Sequence, residues 1–81
     1  MRFHYLSRFR RDLNSLPTSI RKKFEKQALY LLRDLRHPSL RAKKYDETLG
    51  VWQARVDDDI RFYFLIEGEV YILLEIKKHP K

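Results

Sequence analysis

Apolar residues recur every three or four positions in the first half of the chain, then alternate with polar ones or run together in the second. Phe3 to Leu6 predicts a short first strand. Ser7 is a candidate N-cap, after which Phe9, Leu13 and Leu16 recur at i, i+4 and i+7 as one stripe of a short helix. Asn14-Ser15-Leu16-Pro17 ends it. Thr18 or Ser19 caps a longer helix in which Ile20, Phe24, Leu31, Leu32 and Leu35 share a face with Ala28 between them. Its other face carries Arg21, Lys22, Lys26 and Arg33. This helix is expected to stop before His37-Pro38, because proline disfavours helical backbone at the residue preceding it. The tight turn through Pro17 makes the two helices an antiparallel hairpin.

Leu40 to Tyr45 predicts a basic strand and Asp46 to Gly50 a loop. Three runs rich in aromatic and β-branched residues follow, Val51–Val56, Ile60–Ile66 and Val70–Lys78. Asp57-Asp58-Asp59 and Glu67-Gly68-Glu69 separate them at hairpin spacing. Three-residue turns set Val56 opposite Ile60 and Ile66 opposite Val70. Arg55 then faces Arg61, and Gln53 faces Tyr63. Across the second hairpin Arg61 faces Glu75, Tyr63 faces Leu73 and Leu65 faces Tyr71. Alternation sends every even-numbered strand position from Trp52 to Ile76 to one apolar face, which the helices must cover. The expected fold is α+β, an N-terminal strand and two-helix hairpin packed on one face of a four- or five-stranded antiparallel sheet. Residues 1–81 form one domain, since so short a chain has no room for a second core.

The uncovered face carries the row Arg55–Arg61–Glu75, with Gln53 and Tyr63 beside it and Lys77 and His79 beyond. Two arginines directly across a strand pair repel each other. A bound anion or the Glu75 carboxylate relieves that repulsion. The alternative is that Glu75 and the Asp57–Asp59 turn simply neutralise two surface arginines. In this register Tyr63, Leu65, Tyr71 and Leu73 form an apolar cluster on the solvent side, a feature of protein contacts.

Composition narrows the field. The 18 Lys and Arg against 11 Asp and Glu leave a formal charge of +7, which favours a polyanion or an acidic protein as partner. The chain has no cysteine, so a disulfide framework and a Cys-ligated metal are excluded. His4, His37 and His79 are far apart and form no paired motif, so no metal and no cofactor are expected. No apolar run approaches the ~20 residues of a membrane span, and the first residues do not open a signal peptide. The expectation is a soluble cytoplasmic protein with no membrane partner. Trp52, alternating with Ala54 and Val56, is expected in the core.

The order strand, two helices, basic strand and three-strand meander resembles the RelE/ParE toxins of bacterial toxin–antitoxin pairs. The likeness is carried by Leu35-Arg36-His37-Pro38-Ser39-Leu40-Arg41-Ala42-Lys43-Lys44-Tyr45, by Val51-Trp52-Gln53-Ala54-Arg55-Val56, by Ile60-Arg61-Phe62-Tyr63-Phe64, and by the tail Glu75 to Lys81. It covers nearly the whole chain, and its most specific part is the hydrophobic-Arg-hydrophobic-Tyr run. The RelE branch implies a metal-independent endoribonuclease that cuts messenger RNA, commonly on the ribosome, and is held in check by an antitoxin.

On that resemblance Arg61 contacts the scissile phosphate, Arg55 assists it, His79 exchanges protons, and Glu75 is a base or an orienting acceptor. Lys43 and Lys44 of the basic strand, with Lys77, Gln53 and Tyr63, are the expected RNA contacts, Lys44 being the nearest match to the family's lysine. Leu65, Tyr71 and Leu73 are the expected antitoxin contacts. The family's pattern often adds a tyrosine just after the terminal His or Arg, where this chain has Pro80 and Lys81. ParE-type members share the fold and act on DNA gyrase by protein contact. A gyrase inhibitor and an inactive basic module that binds RNA or antitoxin therefore remain as alternatives.

Overall fold

A computed structural model of the protein describes residues 1–79. Pro80 and Lys81, the end of the tail that carries the resemblance, lie outside the described residues. The order is β1 (Arg2–Tyr5), α1 (Ser7–Asn14), α2 (Thr18–Arg33), a 3₁₀ turn (Pro38–Leu40), β2 (Lys43–Asp46), β3 (Val51–Arg55), β4 (Ile60–Glu67) and β5 (Val70–Lys78). The five strands form one sheet in the order β1-β5-β4-β3-β2. Both helices pack on one of its faces. Phe9 of α1 meets Phe24 of α2 at 5.3 Å between ring centroids, and Phe24 stands edge-on to Phe62 of β4 at 5.2 Å. These rings are buried with Ala28, Leu31, Leu40, Ala54 and Phe64. Trp52 lies against this core, its ring stacked on Phe64.

The sheet is mixed, not antiparallel throughout, because β1 runs parallel to β5 from Arg2 opposite Val70 to Tyr5 opposite Leu73. Alternation settles which side chains share a face. It carries no information on the direction of a strand whose partner is distant in sequence.

Three local features depart from the periodicity, each with a visible cause. Helix α2 ends at Arg33, short of His37-Pro38. Asp34 is extended (φ −162°) and its Oδ1 accepts the Arg36 N–H at 2.8 Å, an Asx turn that competes with helix. The basic strand starts at Lys43 and not at Leu40. Residues 38–40 form the 3₁₀ turn, Leu40 is fully buried, and Arg41 takes a left-handed backbone (φ 45°). Helix α1 begins on Ser7 itself, with Leu6 before it at the cap position.

The β3–β4 hairpin pairs Arg55 with Arg61, Gln53 with Tyr63 and Trp52 with Phe64. The β4–β5 hairpin differs from the expected register in two places. Its turn is two residues long, Gly68-Glu69 between paired Glu67 and Val70, with Gly68 at φ 56° in the position that demands it. Further along, Tyr63 pairs with Glu75 but Phe64 pairs with Leu73, so Leu74 is an extra residue in a β-bulge. The shorter turn inverts the faces of residues 70–73, and the bulge restores parity for Ile76. Tyr71 and Leu73 therefore point into the core, 4% and 0% exposed, and Tyr71 Oη donates to the Leu31 carbonyl at 3.3 Å. They are not on the solvent face assigned to them. Ile72 takes that place, opposite Leu65.

A carboxylate at position 73 would have no partner in the apolar interior, a burden of several kcal/mol comparable to the whole stability of a small domain. Leu73→Glu is expected to abolish the cooperative thermal transition, while Ile72→Asp, half-buried on the outer face, keeps it. Calorimetric melts of the two variants test the bulge directly.

Candidate active site

With both helices on one side, the other face of the sheet is open. The altered register places three cations side by side across its strands: Arg55 of β3 opposite Arg61 of β4, and Arg61 opposite Lys77 of β5. Lys77, not Glu75, is thus the neighbour of Arg61. Beside this row lies a recess of about 320 Å³ lined by Arg41, Lys43, Gln53, Arg55, Arg61 and His79. None of the described residues lining it is acidic.

Each side chain reaches the recess for a local reason. Lys43 pairs with Gln53 and so shares its face. Lys44 pairs with Trp52 and lies on the opposite face, its ammonium 5.0 Å from the indole ring centroid, so it is not part of the recess. Arg41 enters through its left-handed backbone. No sequence rule anticipates it, because the conformation is uncommon for any residue but glycine and falls outside the strand alternation. Gln27 of α2 fixes this corner, its Nε2 donating to the carbonyls of Ser39 (3.0 Å) and Arg55 (2.8 Å) while Ser39 Oγ donates to its Oε1 at 3.2 Å. Removing that amide would orphan two carbonyls, a loss of about 1–3 kcal/mol.

The Asp57–Asp59 turn and the residue after it engage both arginines. Arg61 Nη1 donates to the carbonyls of Asp57 and Ile60, and Arg55 pairs with the carboxylate of Asp58. The Asp58 side chain is 84% exposed, so water and salt screen that pair and a stronger anion can displace it. Asp57 acts on the turn itself, with Oδ1 accepting the N–H groups of Asp59 and Ile60 at 2.8 Å each. Burial works to raise its pKa, but those two N–H groups and Lys23 at 3.4 Å prevail and hold it below the ordinary value.

His79 is anchored by its backbone N–H, which donates to the Asp59 carbonyl at 2.6 Å. Its Nδ1 lies 3.5 Å from Gln53 Nε2, and the same amide donates to Tyr63 Oη at 3.3 Å. Gln53 and Tyr63 are buried, 4% and 2% exposed, so this chain orients the imidazole from beneath. Tyr63 supports the recess and does not line it. Glu75 stands opposite Tyr63 and outside the recess, paired with Arg8 and with Lys77 at 3.1 Å each. The hydrogen bond to Glu75 outweighs desolvation and raises the Lys77 pKa. Lys77 also lies over the Tyr63 ring at 5.3 Å. Leu65 is half-buried on this outer face.

A second recess, about 510 Å³ and lined in part by Lys23, Lys26, Arg41 and Arg55, shares those two arginines with the first. The pair forms a continuous basic strip suited to consecutive phosphates. Within the first recess, guanidinium forks can chelate a tetrahedral oxyanion, and an imidazole can move a proton near neutral pH.

Neither a protein-family model nor a curated protein matches the chain. Solved structures do, over nearly its full length. The YoeB/ParE toxin from Agrobacterium tumefaciens superposes with a TM-score of 0.82 at 13% identity, covering 99% of this chain and 100% of that one. The RelBE2 toxin–antitoxin complex from Mycobacterium tuberculosis gives 0.76 at 26% identity and 95% coverage of both chains. The archaeal RelE–RelB complex from Pyrococcus horikoshii gives 0.79 at 20% identity, covering 95% and 92%. The chain therefore shares its fold with these toxins of the RelE and YoeB/ParE type.

The Asp57 turn predicts an acid dependence. A carboxyl whose folded pKa is depressed adds stability above its unfolded value of about 3.8, and that stability is lost as pH falls through the lower folded value. Melting temperatures taken from pH 6 down to pH 3 should fall for the parent. Asp57→Asn should start lower at pH 6 and decline less steeply.

Proposed function

We propose that this protein is the toxin of a type II toxin–antitoxin pair and that it cleaves messenger RNA in the recess formed by Arg41, Lys43, Arg55, Arg61 and His79. The observation that carries this reading is the gathering of four cations around an oriented imidazole, two of them held by the Asp57–Asp59 turn, with no carboxylate among the described residues that line the recess. Such a site attracts a phosphodiester.

In the reaction, the ribose 2′-hydroxyl loses its proton and attacks phosphorus. The 5′-oxygen leaves with a proton, giving a cyclic phosphate and a free 5′-hydroxyl. Arg61, pre-aligned by two carbonyls, and Arg55, freed from Asp58 by the incoming phosphate, stabilise the phosphorane. Lys43 and Arg41 hold the flanking oxygens. His79 exchanges the proton, its ring held by the Gln53 amide. These cations provide the positive charge at phosphorus, and no metal is required. Glu75, paired with Arg8 and Lys77 away from the recess, is left out of the proton transfer.

Several of the similar structures are toxin–antitoxin complexes, which supports a cognate antitoxin as partner here. Its contact is proposed on the outer face around Leu65 and Ile72. The ribosome is the proposed setting of cleavage and the cytoplasm its location. Among the described residues no helix is long and apolar enough to cross a membrane.

Arg61→Ala removes one preformed donor to the phosphorane and should slow cleavage by about 10²–10³. His79→Ala should slow it by about 10²–10⁴ and remove one limb of the pH–rate profile. Both are measured by mapping messenger cleavage in a purified translation system, with gyrase supercoiling assayed in parallel. Folded Arg61→Ala protein as active as the parent would rule out this recess, and inhibited supercoiling with intact messenger would make the protein a gyrase inhibitor.

A further inference from the structure

Next to the basic recess, on the same face of the sheet, lies a groove of about 380 Å³ whose walls include Tyr45, Leu49, Val51 and Leu74, with Arg8 and Glu75 also lining it. Two of its apolar residues are unusually open to water, Tyr45 at 57% and Leu49 at 68% exposed. Tyr45 is the extra residue of a bulge in β2, since Lys44 pairs with Trp52 and Asp46 with Val51. Bulges re-aim a side chain, and here the ring is turned onto the open face, its centroid 4.9 Å from that of Tyr63 in an edge contact. Tyr63 lines the groove and is hydrogen-bonded to Gln53, which lines the recess, so the two cavities share a wall.

An exposed aromatic face beside a phosphate site is the arrangement by which proteins hold single-stranded RNA, the backbone in the basic track and the base stacked on the ring. Glu75 brings hydrogen-bond acceptors to the same groove. Ionised, it offers acceptors only, and its two oxygens keep lone pairs beyond those engaged by Arg8 and Lys77.

We propose that the groove receives a nucleobase of the bound RNA strand, stacked on Tyr45, with Glu75 accepting a hydrogen bond from its exocyclic amine. The inference rests on the ribonuclease reading for the phosphate but concerns a different subsite. It assigns Glu75 to base selection and Tyr45 to stacking. Cytosine, which carries an amine, is bound better than uracil, which does not.

The test is binding of short 2′-O-methyl RNA, which cannot be cleaved, followed by fluorescence anisotropy on the folded full chain. The probes are oligo(A), oligo(C), oligo(U) and a ribose-phosphate oligomer lacking bases. Tyr45→Ala should weaken oligo(A) roughly 5- to 100-fold, the range for losing one base stack, and leave the baseless oligomer unchanged. Tyr45→Phe should bind as the parent does. Glu75→Gln should erase the preference for oligo(C) over oligo(U), because its amide also donates.

Equal weakening of all four probes by Tyr45→Ala would make it a backbone contact and overturn the proposal. No weakening of any probe would overturn it too and leave the groove to a protein segment. If all four bind the parent equally and Arg61→Ala weakens them all, the phosphate recess stands and the base groove falls. If none binds, both fall together.

Discussion

Phe24 reaches from α2 to stand edge-on against Phe62, with Phe9 behind it and Phe64 beside it, and this aromatic chain binds both helices to one face of the sheet. Edge-to-face contacts of this kind add about 0.5–1.5 kcal/mol each beyond the area they bury. A chain this short has no second layer to spend on the other face. Most of what this face presents to a partner therefore stands on the strands themselves, at positions set by pleat, register and bulge, with Arg41, Leu49 and Arg8 added from the connections and α1.

On that open face the controlling term is electrostatic. Arg55, Arg61 and Lys77 line up across three strands, an order that a purely structural sheet avoids. The fold tolerates it by tying each cation to something nearby: Arg55 to Asp58, Arg61 to two carbonyls of the same turn, and Lys77 to Glu75. The acidic turn thus neutralises Arg55, while Arg61 meets only backbone carbonyls and Glu75 pairs with Lys77 and Arg8. Among the described residues that line the recess, none offers Arg41 or Lys43 a carboxylate. The Asp58 partner is exposed, and the others are uncharged or lie to one side, so these ties are weak ones.

Much of this was legible in the residues. The turn between Val56 and Ile60 sets the Arg55–Arg61 and Gln53–Tyr63 pairs, and period two carries His79 to their face. Lys43 enters only with the family resemblance, which favours Lys44, because alternation within one strand does not set its register against the next. Alternation alone misplaces Glu75, because a glycine at 68 permits a two-residue turn in a spacing that reads as three, and because a bulge at Leu74 leaves no mark in composition. Those two slips exchanged Tyr71 and Leu73 for Ile72 on the outer surface. Arg41 was missed for a different reason. A left-handed arginine costs about 1–2 kcal/mol, and neither propensity nor periodicity anticipates a conformation the chain adopts against its own preference.

The parallel pairing of β1 with β5 bears on when the molecule becomes whole. Arg2 finds its partner at Val70 and Tyr5 finds its partner at Leu73, so closing that edge joins segments separated by nearly the full described length. Loop closure of this kind comes late, because its entropic penalty must be met before the contacts it brings can form. The same final strand carries Lys77 and leads into His79. A chain still emerging from the ribosome can assemble its helices while its sheet lacks both an edge and the end of the basic face. Completion of the fold and completion of the recess are then one event.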